Sequence, residues 1–163
     1  MIAYFTVNTT AAAPIGASCG HKKELPAMPS LFTRIIQGEI PGRFVYRDDR
    51  CVAFLTIAPL KPGHTLVVPV QEVDHWIDMP ADLSAHVFSV GQKVATAIQR
   101  IWNPEKVGLM IAGLEVRHVH LHLTPIWAIG DMNFANQQQN PDPAVMDEAM
   151  HKLRAELGWQ PPA

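Results

Sequence analysis

The sequence predicts an α+β domain: a five-stranded antiparallel sheet with a short N-terminal helix, one long helix and a C-terminal helix. Three observations predict it. Short β-branched and aromatic runs, RFVYRD, CVAFLTI and HTLVVPV, are separated by turn-forming clusters and read as a three-strand meander. Between Ala81 and Trp102 the apolar residues Leu83, Val87, Val90, Val94, Ile98 and Ile101 recur every three or four positions, the period of a helix with one buried face. After it, KVGLMIAG and EVRHVHLHLTPIW supply a fourth and a fifth β run. Antiparallel strands with helices inserted between them define the class.

In chain order, residues 1–27 are expected to form an extension outside the domain. Met28 stands directly before the first patterned segment, and Asn8, Thr9, Thr10 and Pro14 interrupt any signal-peptide core. The domain itself is expected over residues 28–160. Ser30 suits an N-cap ahead of Leu31, Ile35 and Ile36, and Gly38 with Pro41 ends that short helix. Asp48-Asp49-Arg50 turns the first hairpin, Ala58-Pro59 stops its second strand, and a Lys61-Pro62-Gly63 loop leads into a third strand over 64–70. Asn103-Pro104 stops the long helix, and a tight connection near Gly113 is expected between the fourth and fifth strands. The polar stretch from Gly130 to Pro143, with Gln137 to Gln139 in a row, reads as a surface loop. A last helix should begin at Pro143 and end near Leu157, leaving Gly158 to Pro162 as an exposed tail.

Composition narrows the function classes. At 163 residues with 48% hydrophobic content, the chain can bury one sizeable core, so one domain is expected. A formal charge of -2 offers no broad basic field to a nucleic-acid backbone, and no nucleic-acid partner is expected. No apolar run reaches the roughly 18 residues a bilayer span needs. Two cysteines, Cys19 and Cys51, make no disulfide framework, which favours a reducing cytoplasmic compartment.

The chemistry points to HVHLHLT. In a strand, side chains alternate between faces, so His118, His120 and His122 share one side while Val119, Leu121 and Leu123 share the other. Three histidines in register have three readings. They could be an incidental polar face. They could ligate zinc, but a straight strand sets the outer pair about 13 Å apart, too far for ligands that each reach one ion at about 2.0–2.1 Å. They could serve nucleophilic catalysis, the central imidazole attacking an electrophile and its neighbours placing charged oxygens. Imidazole suits that role near neutral pH, since its ordinary pKa of about 6.5 leaves much of it unprotonated.

These residues resemble the histidine triad (HIT) superfamily, whose signature is His-x-His-x-His with apolar residues between. FTRIIQGEIP before the first hairpin and PLKPGHTLVVP before the long helix agree with it, so the resemblance runs from residue 31 to 127. It implies that His120 attacks an α-phosphorus to form a nucleotidyl-histidine that water then hydrolyses. It implies too that the His118 backbone carbonyl orients His120, that His122 contacts a phosphate oxygen, and that His64 supports the triad from the neighbouring strand. Thr56 would meet the ribose, Phe32 and Phe54 could wall the base, and Glu115 would stand near the phosphates. No metal or other cofactor is expected, and a homodimer is implied, with a nucleotide as the small-molecule partner.

The chain departs from the family's phosphoramidase and dinucleoside polyphosphate hydrolase branches just before the triad. Gly113-Leu114-Glu115-Val116 stands where those branches carry Gly-Gln, so Leu114 replaces a polar phosphate contact, and Glu115 takes a position often held by serine or threonine. Thr56 takes the place of a ribose-binding aspartate or asparagine. A nucleotidyl hydrolase or transferase is therefore one reading. A non-catalytic nucleotide-binding or interaction protein that keeps the pocket is the other.

Overall fold

A computed structural model describes residues 28–162, so the extension expected over 1–27 lies outside the described residues. Helix α1, Leu31–Ile36, starts where the Ser30 hydroxyl accepts the Thr33 N–H at 3.1 Å, satisfying a donor that has no partner within the helix. Strands β1, Arg43–Arg47, and β2, Cys51–Leu55, form the first hairpin. Asp48 builds its turn by accepting the N–H groups of Arg50 and Cys51 at 2.9 and 2.8 Å. Strand β3, Thr65–Pro69, completes the meander.

Helix α2, Ala81–Trp102, buries Leu83, Val87, Val90, Val94 and Ile98 along one stripe, as the periodicity requires. Asn103 ends it in the left-handed conformation, φ 46°, just ahead of Pro104. Strands β4, Lys106–Met110, and β5, Leu121–Ile126, form an antiparallel pair, and β5 returns alongside β3. The five strands stand in the order β1-β2-β3-β5-β4, all antiparallel. Helix α3, Pro143–Leu157, is capped by Asp142 and packs against α2 and β1.

Both faces of the sheet are covered, and alternation divides its side chains between them. Cys51, Ala53, Leu55, Val67, Leu121 and Leu123 join α2 and α3 in the larger core. Val52, Phe54, Leu66 and Val68 meet Phe32, Ile35 and Ile36 of α1 on the opposite face. His122, between Leu121 and Leu123 in β5, therefore belongs to the α1 side.

Two expectations are corrected and one is filled in. The tight connection near Gly113 is instead the whole segment 111–120, because the β4–β5 ladder stops at the Met110–His122 pair. The polar loop after β5 runs over the surface as expected and holds two short 3₁₀ turns, Ile129–Met132 and Phe134–Asn136, with Phe134 packed against His122 on the α1 side of the sheet. Trp159 does not trail away in an exposed tail. It is half-buried against the larger core, with the Arg154 guanidinium 5.4 Å from its ring centre.

Candidate active site

Three of the four histidines are each set by one backbone group that cannot change its role, and the fourth is set through one of those three. The carbonyl of Pro69, at the end of β3, can only accept, so His118 donates to it through Nε2–H at 2.8 Å. The carbonyl of His118 likewise accepts the Nδ1–H of His120 at 2.7 Å, leaving His120 Nε2 with a free lone pair. The N–H of Leu60 can only donate, and it points at His64 Nδ1 at 3.1 Å. His64 then carries its proton on Nε2 and gives it to His122 Nδ1 at 3.0 Å. His122 must therefore hold its own proton on Nε2. Two neighbouring rings with centres 4.7 Å apart thus differ in kind: His120 offers a lone pair and His122 a donor.

Burial keeps these imidazoles neutral. It is the largest cause of a downward shift at all four, moving His64 to about 4 and His122 to about 3. At His64 and His122, the nearby His120 adds to that depression. His120 and His118 are also lowered by burial, against the hydrogen bonds to the His118 and Pro69 carbonyls, which pull upward.

A cavity of about 1040 Å³ opens on this face and is lined by both His120 and His122. Phe32 and Phe54 form one wall, their rings in edge contact at 5.6 Å, and Phe32 also meets the His120 ring at 4.8 Å. Thr56 and Glu115 line the same cavity. His118 and His64 do not. Their side chains are 0% and 1% exposed and lie behind the rings that face the cavity. The expectation that histidines on both sides of His120 reach the reacting group is thus corrected for His118, whose two ring nitrogens are spent on Pro69 and Ser30.

The HIT domain family matches residues 37–126, more than half of the chain. This chain belongs to the HIT family. It is similar to an uncharacterised HIT-like protein of Methanocaldococcus jannaschii, 32% identical over 129 residues that span 76% of this chain and 98% of that one. Among solved structures it resembles a HIT-like protein of Bartonella henselae involved in cell-cycle regulation and crystallised with an unknown ligand. The TM-score is 0.68 and the identity 28%, over 78% of this chain and 95% of that chain. A zinc-bound histidine triad family protein of Mycobacterium smegmatis superposes with a TM-score of 0.65 at 29% identity, covering 78% and 91% of the two chains.

In this HIT chain several cavity residues carry no signal in the sequence. Phe134 stacks edge-on against His122 at 4.9 Å, and Gln137 and Gln139, read above as surface loop, face the same space. The segment is held there by the Lys61–Asp131 ion pair at 2.8 Å and by the Gln138 N–H on the Pro59 carbonyl at 3.0 Å. Leu114, 91% exposed, and Ile57, 79% exposed, set apolar side chains at the cavity rim. Elsewhere among the described residues, Asp48, Cys51 and His86 bring possible metal ligands within 4.8 Å of one another. There the Asp48 carboxylate is already engaged by the hairpin N–H groups, the Tyr46 hydroxyl and the His86 ring. No described helix is long and apolar enough to cross a membrane.

Proposed function

We propose that this HIT chain is a nucleotidyl hydrolase or transferase that cleaves a nucleoside 5′-phosphate derivative at the α-phosphorus. A single observation carries the reading: His120 Nε2 faces the cavity with no hydrogen-bond partner among the described residues, while its Nδ1 proton is held by the His118 carbonyl. The Nε2 lone pair forms a bond to phosphorus as the bond to the leaving nitrogen or oxygen breaks, and the leaving group departs with that electron pair. His118 C=O stabilises the positive charge that appears on the imidazole ring. The His122 Nε2–H donates to a non-bridging oxygen as charge gathers there. Water then attacks phosphorus, the P–N pair returns to Nε2, and the proton that water gives up to solvent balances the one the leaving group takes from it. Phe32 and Phe54 supply an apolar wall for a base, and Thr56 a hydroxyl for the ribose.

Replacing His120 by asparagine is expected to abolish hydrolysis of an adenosine phosphoramidate while leaving the melting temperature close to the wild-type value. Undiminished turnover by that variant would falsify the assignment. Mass spectrometry of acid-quenched wild-type protein should find the nucleotidyl adduct on His120.

A second reading is supported by the cavity rim. Leu114 offers no polar contact, and the Glu115 carboxylate would repel phosphate oxygens. On that reading the protein binds a nucleotide without turnover. Calorimetry showing nucleotide binding, with no product across phosphoramidates, dinucleoside polyphosphates and nucleotide sugars, would select it. We also propose a homodimer, because β4 is an edge strand with Leu109 45% exposed and Trp127 49% exposed nearby. Sedimentation of a monomer at micromolar concentration would remove that assignment.

A further inference from the structure

We propose that Glu72 is a positioning residue for His120, acting from outside the cavity through the Ser30–Thr33 cap of α1 and the His118 ring. This rests on the reading of His120 as the nucleophile. Glu72 lies just past the end of β3, is exposed, and does not line the cavity. Its carboxylate accepts the Ser30 N–H at 3.0 Å and the Thr33 hydroxyl. The two hydroxyls are 3.1 Å apart, and Ser30 Oγ lies 2.8 Å from His118 Nδ1. Sequence separation is large, with Glu72 more than forty positions from Ser30 and His118 eighty-eight from it.

The direction of every bond in this chain follows from its two ends. His118 gives its Nε2 proton to Pro69, so its Nδ1 can only accept, and Ser30 must donate its hydroxyl proton there. The Ser30 oxygen accepts in turn from the Thr33 N–H at 3.1 Å. That leaves the Thr33 hydroxyl to donate to Glu72, which is ionised: its hydrogen bond from Thr33 is the largest cause of a carboxyl pKa held below the ordinary range. Glu72 is the terminal acceptor. Without it, the Thr33 hydroxyl is released to rotate between solvent, Ser30 Oγ and His118 Nδ1, which lies 3.5 Å from it, and in the last two orientations it competes for the acceptor that Ser30 serves.

The effect reaches the nucleophile because ring and carbonyl belong to one residue. His118 sits ahead of β5, in a segment tied to its surroundings by the Val119 N–H on the Val73 carbonyl and by the contacts of the His118 ring. Pinning that ring at both nitrogens places the His118 carbonyl, and the carbonyl places the Nδ1 proton of His120. Loosening the ring lets His120 populate the tautomer with its proton on Nε2, which has no lone pair to attack with.

The test compares full-length wild type with Glu72→Ala, Glu72→Gln and Thr33→Val. Nitrogen-15 NMR of the imidazoles needs no turnover. Wild type should show His118 protonated on Nε2 and His120 on Nδ1. Glu72→Ala should mix the tautomers at His120 while His118 keeps its Nε2 proton on Pro69; Thr33→Val, which removes the competing hydroxyl, and Glu72→Gln, which keeps an acceptor oxygen for Ser30 and Thr33, should retain the wild-type pattern. In parallel, kcat on an adenosine phosphoramidate should fall about tenfold in Glu72→Ala, with KM nearly unchanged and most of the loss recovered in Glu72→Gln. Unaltered tautomers in folded Glu72→Ala overturn the proposal, as does Glu72→Gln scrambling them equally. If Glu72→Ala does not fold, unaltered tautomers in Glu72→Met, which keeps the bulk of the side chain without an acceptor oxygen, overturn it instead. Tautomers that shift as expected in a wild-type protein with no turnover support the positioning role and overturn the catalytic reading on which it was built.

Discussion

At the scale of single residues, the difference between His120 and His122 is made by what stands behind each ring. Leu60 N–H and His118 C=O are one donor and one acceptor, and through them two identical side chains become a donor and a lone pair. His64 is the intermediary for His122. Replacing it by alanine leaves His122 Nδ1 unpaired and lets the ring change tautomer, so kcat is expected to fall about tenfold with a smaller change in KM. Glutamine at 64, with both an acceptor and a donor, should recover part of that loss; steady-state kinetics on the two variants checks it. The pH dependence has a definite sign. His120 is held below its ordinary 6.5 mainly by burial, so it stays unprotonated to lower pH than a free imidazole. The acid limb of kcat/KM is therefore expected below pH 6.5, and a limb above 6.5 would contradict the assignment.

At the scale of elements, the histidine run shows what a sequence pattern reports. Strict alternation from Val116 to Thr124 sorts side chains correctly: Val119, Leu121 and Leu123 are buried in the larger core, and His120 and His122 face the cavity. It does not report whether the backbone has a ladder partner. Strand β5 begins only at Leu121, because its ladder to β3 stops at the Val67–Leu121 pair and Val119 instead gives its N–H to the Val73 carbonyl in the loop beyond β3. The rings of His120 and His122 stand with their centres 4.7 Å apart. Helix ends and turn residues were far more legible. Ser30, Asn103 and Pro143 act locally, and the structure puts them where their chemistry predicts. Two substitutions test the packing. Gly63 has φ 86°, and a Cβ there would lie 2.4 Å from the Trp102 ring, so Gly63→Ala should cost about 2–4 kcal/mol in urea unfolding. The Thr124 hydroxyl is buried without a partner among the described residues, and Thr124→Val is expected to be neutral or stabilising by about 1 kcal/mol.

At the scale of the whole molecule, a sheet covered on both faces does two jobs. The α2–α3 side supplies the larger core, and the α1 side, smaller and aromatic, leaves room for the cavity. Burying neutral histidines there couples stability to pH. In the unfolded chain His64 and His122 titrate near 6.5, whereas folded they take up protons only near 4 and 3. Their contribution is complete above pH 6.5 and is lost as pH falls toward those lower values. Unfolding free energy should drop by roughly 2–4 kcal/mol for the pair between pH 6.5 and pH 5. Urea midpoints at the two pH values measure this, and a midpoint unchanged at pH 5 would contradict it.

The sequence by itself determined the fold class, the helix ends, the two faces of the histidine run and, through HVHLHLT with its flanking segments, the family. These follow from short-range causes: periodicity, capping and turn chemistry act within a few residues, and a motif is read from its own spacing. Only the tertiary structure decided that His118 is a support turned away from the cavity, that Phe134 and Gln137 reach into it, and that Glu72 joins Ser30, Thr33 and His118 in one chain of hydrogen bonds. Those relations hold between residues far apart in the chain, and each depends on where β3, α1 and the segment before β5 come to rest against one another, which no local pattern encodes.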